Sequence, residues 1–152
     1  MTVTMRQARP QESEALMPEI QAEYAEAMVA QGGFEPEVAR RKAEADIPQA
    51  LSLPIQQLFV VEDDGEPVGH LWLAERELDG QATLFVYDVF VREEYRGRGL
   101  GRQAMLLAEE EARRRGIESI TLNVFGGNEV ARALYRSLEY DEIYVGMRKK
   151  VR

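Results

Sequence analysis

Cysteine is absent from this chain of 152 residues. Disulfide bonds, thiolate metal sites and acyl-enzymes formed on a cysteine are therefore excluded. Long apolar runs are also absent, since no stretch approaches the roughly 20 residues that a membrane-spanning helix requires. The opening residues, Met-Thr-Val-Thr-Met-Arg, lack the apolar core of a signal peptide. These absences predict a cytoplasmic protein that has no membrane contact and binds no metal.

Positive charge is scarce, because 19 Lys and Arg residues face 27 Asp and Glu residues, for a formal net charge of -8. This balance disfavours nonspecific binding to nucleic acid, which depends on basic side chains that neutralise phosphates. The composition, 45% hydrophobic and 30% charged, is that of a folded protein. A chain of this length can bury most of its apolar surface in one core, so residues 1–152 are predicted to form a single domain. The basic stretch at 148–150 is interpreted as the solvated end of a strand.

Glycine and arginine are concentrated between residues 95 and 102, which read Tyr-Arg-Gly-Arg-Gly-Leu-Gly-Arg. A strand-like run at 84–91 precedes this turn and a helical run at 103–115 follows it. Such an arrangement can hold a phosphorylated ligand, because glycines let the backbone come close and the first helical amides point at the anion. A P-loop is excluded because Gly101 is followed by Arg102. The alternating glycines also do not match the dinucleotide-binding fingerprint.

A second motif begins at Asn128, a residue type favoured at helix N-caps. It follows a strand-like segment at 119–125 and reads Asn-x-x-Ala-x-x-Leu-Tyr, ending at Tyr135. Val130, Leu134 and Leu138 recur every four residues, which predicts a helical row that faces the core. Elsewhere, periodicity predicts strands at 3–8, 58–62, 68–77 and 83–91, and helices at 11–30 and 35–50.

The two motifs, Arg-x-x-Gly-x-Gly at 96–101 and the Asn-to-Tyr motif, resemble those of the GCN5-related N-acetyltransferases, the GNAT superfamily. The resemblance covers most of the chain after about Leu58, and between Phe85 and Lys150 it is closest to a bacterial YycN-like subgroup. It implies a three-layer α/β/α sandwich with a mixed, mainly antiparallel sheet. In the family this sheet splays apart between strands four and five, and the cofactor lies in the gap.

The same resemblance implies transfer of an acetyl group from acetyl-CoA to a primary amine that attacks the thioester directly. Strand-four backbone groups are expected to bind the pantetheine arm of the cofactor, at Val89, Phe90 and Val91. The residues expected to bind the pyrophosphate are Arg96, Gly97, Arg98, Gly99, Leu100, Gly101 and Arg102. Asn128 matches a side chain that touches the cofactor near its sulfur, and Tyr135 matches the general acid that protonates the leaving thiolate.

The base that deprotonates the amine is left open by the sequence. Asn123 stands where some relatives carry a glutamate, and an amide cannot accept the proton. Asp88 and Glu142 are two alternatives by position. His70, the only histidine, is interpreted as a structural side chain within the sheet, with a catalytic base as the other interpretation.

The acceptor and the oligomeric state are also left open. The predicted N-terminal helices are rich in glutamate, which suits a cationic acceptor, either a small molecule or a peptide amine. A homodimer is possible because dimers are common in the family. Glu139 replaces the glycine that usually follows the second-motif helix, so it either strains that turn or ends the helix another way. A noncatalytic acyl-CoA-binding sensor or interaction module is the alternative function, since such a module would need the glycine loop but not Tyr135.

Overall fold

Five β-strands and four α-helices make up the part of the chain that this computed structural model describes, residues 2–53 and 56–152. The strands are β1 (Val3–Gln7), β2 (Gln56–Asp63), β3 (Glu66–Leu78), β4 (Gln81–Val91) and β5 (Ile120–Leu122). The helices are α1 (Pro10–Gly32), α2 (Pro36–Leu51), α3 (Leu100–Arg114) and α4 (Glu129–Ser137). Among these residues, no helix combines the length and the apolar character that crossing a membrane requires.

The strands form one sheet in the order β1-β2-β3-β4-β5, with helices on both faces. All neighbouring pairs are antiparallel except β4 and β5, which are parallel. On one face, α3 packs against Phe59 and Leu71. On the other face, Ile20 of α1 packs against Leu58 and Trp72. Leu58 and Phe59 face opposite layers because successive side chains of a strand alternate. The predicted three-layer α/β/α sandwich with a mixed sheet is confirmed.

The sheet opens between β4 and β5. Only Leu84–Val86 of β4 pair with Ile120–Leu122 of β5, so the predicted strand at 119–125 is shortened to three residues. Tyr87 has no partner in β3 and forms a bulge in β4, and a bulge bends its strand away from a regular ladder. From Tyr87 to Val91, β4 therefore has no strand partner on its β5 side within the described residues. The splayed gap expected between strands four and five is confirmed.

The end of α4 explains how a glutamate replaces the usual glycine. Glu139 adopts a left-handed conformation with φ of 69°. Its backbone amide donates to the carbonyl of Arg136, and the amide of Tyr140 donates to the carbonyl of Tyr135. These two bonds form a Schellman motif, and the contact between the Tyr135 and Tyr140 rings, 5.8 Å between centroids, supplies its hydrophobic part. Glu139 therefore retains the glycine conformation, with the strain that a side chain brings to it.

Two expectations for the C-terminal part of the chain are wrong. Val130 was predicted to face the core, but its side chain is 85% exposed, whereas Tyr135 and Leu138 farther along α4 pack against the core. The basic residues at 148–150 were predicted to end a strand. They are solvated as expected, but the whole segment from Asp141 to Arg152 has no regular secondary structure.

Candidate active site

The glycine-rich turn presents unpaired backbone amides to an open space. Gly97 and Gly99 have φ of 80° and 74°, in the left-handed region that favours glycine. Within the described residues, none of the backbone amides from Gly97 to Arg102 donates a hydrogen bond to another group of the chain. A Cβ added at Gly97 or Gly99 would meet no atom within 4 Å. The turn and the first amides of α3 thus form a cradle with the donor groups and the room that a pyrophosphate needs.

Three exposed arginines surround this cradle. Nε of Arg96 donates to the carbonyl oxygen of Val91 at 2.9 Å, which fixes the loop to the end of β4. Nη1 of Arg102 donates to Oγ of Ser137 at 2.8 Å and so joins α3 to α4. The guanidinium of Arg98 lies 5.5 Å from the ring centroid of Tyr95. Because all three are exposed, their positive charge is accessible to an anionic ligand.

The last residues of β4, Val89, Phe90 and Val91, border the gap beside the cradle. In β3 their partners are Leu71, His70 and Gly69, so this edge of β4 is held and the opposite edge is free. At Gly69 the strands come very close, because an added Cβ would lie 2.0 Å from the carbonyl oxygen of Phe90. Only glycine permits this approach, which sets the position of the strand that lines the gap.

Helix α4 brings two predicted site residues to the other side of the gap. Oδ1 of Asn128 accepts a hydrogen bond from the amide of Ala131 at 3.1 Å, which confirms the predicted N-cap. Tyr135 is half-buried at the edge of the core. Burial, together with the negative charge of Asp88, raises the pKa of Tyr135 to about 12. The influence of Asp88 indicates that this carboxylate and the phenol share one electrostatic environment.

His70, Asp88 and Glu23 form a cluster that the sequence did not reveal. Nε2 of His70 donates to Oδ2 of Asp88 at 2.7 Å and lies 4.0 Å from Oε2 of Glu23. One potential ligand atom from each of the three residues lies within 4.8 Å of the others, a grouping with the composition of a cation site. His70 is 1% exposed and stacks on Phe90 with ring centroids 5.4 Å apart. The cluster therefore contacts Phe90 in the part of β4 that lines the gap.

The electrostatics of the cluster distinguish its members. Burial raises the pKa of Glu23 to about 7, and the charge of Asp88 adds to this effect while His70 opposes it. Oε2 of Glu23 is buried and accepts no hydrogen bond within the described residues. Burial lowers the pKa of His70, but the hydrogen bond to Asp88 and the nearby carboxylates outweigh it and raise that pKa on balance. Glu23 thus changes protonation near neutral pH next to a histidine that favours its charged form.

The structure separates the predicted alternatives for the base. Asp88 belongs to the cluster with His70, whereas Glu142 forms ion pairs with Arg132 and Arg136 on the exposed side of α4. The histidine interpreted as structural is buried in the sheet, and its ring is also part of the cluster. Glu23 was not predicted, although one signal was present. It lies three residues after Ile20 on the core-facing row of α1, where a carboxylate is unusual.

Comparison with known proteins identifies the family. The profile of the acetyltransferase (GNAT) family matches residues 17–140. The chain belongs to the GNAT family of acetyltransferases. It is 31% identical over 156 residues to the N-acetyltransferase YycN of Bacillus subtilis (strain 168), which covers 99% of this chain and 100% of that protein. The resemblance to the YycN-like subgroup is thereby confirmed.

Solved structures agree with this assignment. The crystal structure of the protein YycN from Bacillus subtilis is 30% identical and has a TM-score of 0.89, with 99% of each chain covered. By sequence, a shorter region of 90 residues is 37% identical to the mycothiol acetyltransferase of Kytococcus sedentarius. This region covers 58% of this GNAT chain and 29% of that protein. Acetyl transfer is thus the activity of the family to which this chain belongs.

Proposed function

We propose that this GNAT protein, as one domain spanning residues 1–152, transfers the acetyl group of acetyl-CoA to a primary amine. The observation that carries the proposal is the cradle of unpaired amides from Gly97 to Arg102, open to solvent and next to the unpaired edge of β4. The pyrophosphate would bind these amides and the charges of Arg96, Arg98 and Arg102. The pantetheine arm would add to β4 as a strand does, through the backbone of Val89–Val91. Asn128 would border its sulfur end.

Acetyl-CoA supplies an activated acyl group that a neutral amine can attack without a covalent enzyme intermediate. The chain must then position the two reactants and donate hydrogen bonds where negative charge develops. A backbone amide of the Val89–Val91 strand would polarise the acetyl carbonyl. Its free edge and its fixed position against Gly69 make it a preorganised donor.

Tyr135 would donate its phenolic proton toward the leaving sulfur. With a pKa of about 12 the phenol stays protonated throughout the physiological range. Complete transfer of this proton to a thiolate whose conjugate acid has a pKa of ~8.5 would be uphill by about 5 kcal/mol. Tyr135 would therefore act as a hydrogen-bond donor that stabilises the developing charge, and the proton that the nitrogen loses as the amide forms would neutralise the departing thiolate.

Glu23 would accept the proton of the incoming ammonium, with His70 and Asp88 as its charged neighbours. An amine with a pKa of ~10.4 is protonated almost completely at neutral pH, so a base matched to that pH speeds the reaction. A carboxyl group with a pKa of about 7 is such a base. The charge of Asp88 acts on both Glu23 and Tyr135, so Asp88 would influence both proton transfers.

The acceptor would be a cationic amine, either a small molecule or a peptide amine. A cleft beside His70 and Phe90 is lined by Glu12 and Glu19 of α1 as well as by Arg92. Glu12 is already paired with Arg6 and Arg9, so Glu19 is the carboxylate of this cleft that would attract a positive charge. The reaction would proceed in the cytoplasm with no part played by a metal, a membrane or a nucleic acid.

Calorimetric titration with acetyl-CoA in the absence of an acceptor tests the proposal. We expect one site of low-micromolar affinity in the wild type, followed by release of CoA when cationic amines are screened. The variant Gly99→Asp should bind at least tenfold more weakly, because it places a carboxylate against the pyrophosphate. Gly80→Asp is the matched control, since Gly80 has a similar φ of 81° and open space around it but lies in the β3–β4 turn. Wild-type affinity in Gly99→Asp would disprove the cradle.

A further inference from the structure

One place in the fold combines a nitrogen ligand with two carboxylates. The chain contains a single histidine and no cysteine, so an imidazole or thiolate ligand for a metal exists only at His70. Its Nε2 lies 2.7 Å from Oδ2 of Asp88 and 4.0 Å from Oε2 of Glu23. The three residues come from β3, β4 and α1, and their ligand atoms lie within 4.8 Å of one another. The tertiary fold thus assembles a ligand set that suits late first-row divalent cations such as Zn²⁺.

The spacing of the ligand atoms also suits such a cation. Zn²⁺ binds imidazole nitrogen and carboxylate oxygen at about 2.0–2.2 Å in tetrahedral geometry, which places two ligand atoms about 3.4 Å apart. The two separations at His70, 2.7 Å and 4.0 Å, lie on either side of this value. Changes of about 0.6–0.7 Å in them would give tetrahedral spacing. Three protein ligands leave the fourth position for a water molecule.

Oε2 of Glu23 is the ligand atom that most needs a partner. It is buried and accepts no hydrogen bond within the described residues, so it has lost water without gaining a donor. The His70 ring, in contrast, is held firmly, since it is 1% exposed and stacks on Phe90. A cation would therefore supply the missing partner of Glu23 on an imidazole that packing has already oriented.

The charges around the cluster favour a cation. Glu19 of α1 adds a further negative charge that acts on both Glu23 and His70. The positive charge of Arg96 acts on Glu23 in the opposite sense, but its effect is smaller than that of Glu19. Glu19 and His70 also line the same cleft, which gives a cation a route from solvent to the ligand atoms.

We propose that Glu23, His70 and Asp88 bind one Zn²⁺ or a similar late first-row divalent cation. The prediction that the protein binds no metal relied on the absence of thiolates, whereas this site uses imidazole and carboxylate ligands. The hydrogen on Nε2 of His70 would leave as the cation binds, because a metal takes the neutral imidazole. With three ligands and this competing proton, we expect a dissociation constant on the order of micromolar.

Bound zinc would inhibit acetyl transfer. This consequence rests on the proposed function, in which Glu23 accepts the proton of the amine. A cation on Oε2 of Glu23 would occupy the atom that takes up this proton, and its charge would repel a cationic acceptor. The cradle from Gly97 to Arg102 shares no residue with the cluster, so the affinity for acetyl-CoA should change less than twofold.

Calorimetric titration of the tag-free protein with Zn²⁺, without acetyl-CoA or acceptor, tests the site. We expect one Zn²⁺ per chain and at least tenfold weaker binding of Mg²⁺, which prefers oxygen ligands and retains its water. Glu23→Gln and Asp88→Asn should each weaken Zn²⁺ binding at least tenfold. Glu26→Gln, at an exposed position of the same helix as Glu23, is the matched control and should bind as the wild type does. Wild-type Zn²⁺ affinity in Glu23→Gln would overturn the proposal.

The single histidine gives a second readout that needs no substitution. The carbon-bound ring protons of His70 are the only imidazole signals in an NMR spectrum of this chain. They should shift when Zn²⁺ binds and return when a chelator removes it. Zn²⁺ that binds without moving these signals would be held by surface carboxylates instead, and the proposed site would be refuted.

Turnover measured alongside binding separates this inference from the proposed function. Saturating Zn²⁺ should lower turnover at least tenfold, and a chelator should restore it. If Zn²⁺ binds at His70 and turnover is unchanged, the site stands and Glu23 is not the base. If no Zn²⁺ binds, the site is refuted and the proposed function is unaffected.

Discussion

Replacing Glu23 by Gln should make the protein more stable and less active at the same time. Glu23 has a pKa of about 7 in the folded chain, against a reference value of 4.5. A carboxyl group whose folded-state pKa is raised binds its proton more tightly in the folded state. The contribution of Glu23 to stability is therefore fully present below about pH 4.5 and is lost as the pH rises through 7.

The size of the effect follows from the shift. About 1.36 kcal/mol corresponds to each pKa unit, which gives an upper bound of about 3.4 kcal/mol. Glu23 is 23% exposed at its side chain, so solvent screening reduces this bound to about 2 kcal/mol. Gln keeps the shape of the side chain and never ionises. Glu23→Gln should thus raise the free energy of unfolding by about 2 kcal/mol at pH 8 and by well under 1 kcal/mol at pH 5.

Urea denaturation at several pH values between 5 and 8 measures this difference and requires no acceptor. Glu26→Gln, an exposed position on the same helix, is the control and should show no pH-dependent gain. Once an amine is found, Glu23→Gln should also lower kcat about a hundredfold or more and remove the acidic limb of the pH profile near pH 7. A stability gain that is the same at pH 5 and pH 8 would show that Glu23 does not ionise in this range, and the proposed base would be lost with it.

Three further substitutions test the other parts of the site. Tyr135→Phe should leave acetyl-CoA affinity unchanged and lower turnover at least tenfold, by the same factor from pH 6 to 9, because the phenol stays protonated; equal turnover would remove Tyr135 from the mechanism. Glu139→Gly should raise the melting temperature by about 2–4 °C through relief of about 1 kcal/mol of left-handed strain, whereas Glu139→Ala should not. A gain in melting temperature from Ala alone would show that the charge of Glu139, and not its backbone strain, limits stability. Gly69→Ala should cost about 1–3 kcal/mol of stability and weaken acetyl-CoA binding, because its methyl group displaces the Phe90 carbonyl. Gly126→Ala, where the space around the glycine is open, is the control in the same calorimetric measurement. Equal behaviour of the two variants would contradict this packing.

Local features of the site were predictable because they depend on short stretches of chain. The alternating glycines at 97, 99 and 101 require a turn with left-handed residues, and the structure places Gly97 and Gly99 in that conformation. Asn128 is an N-cap by its chemistry and its position before an apolar row. Glu139 was expected either to strain the turn after α4 or to end the helix in another way. The structure shows the strained, left-handed conformation.

Long-range features were not predictable, because they depend on how distant elements meet. Val130 belongs to a regular apolar row, but only the way α4 packs decides that Leu138 reaches the core while Val130 stays exposed. The basic residues at 148–150 were expected to end a strand, but a strand needs an edge to pair with, and the segment Asp141–Arg152 pairs with no strand among the described residues.

The sequence by itself determined the family, the order of the elements and the glycine-rich turn before α3, since each follows from residues adjacent in the chain. Only the tertiary structure decided the cluster of Glu23, His70 and Asp88. It joins Glu23 of α1 with His70 and Asp88 of neighbouring strands, residues that are separated by up to 65 positions. Their pKa values depend on burial and on each other's charge, and both arise only when the helix packs against the sheet.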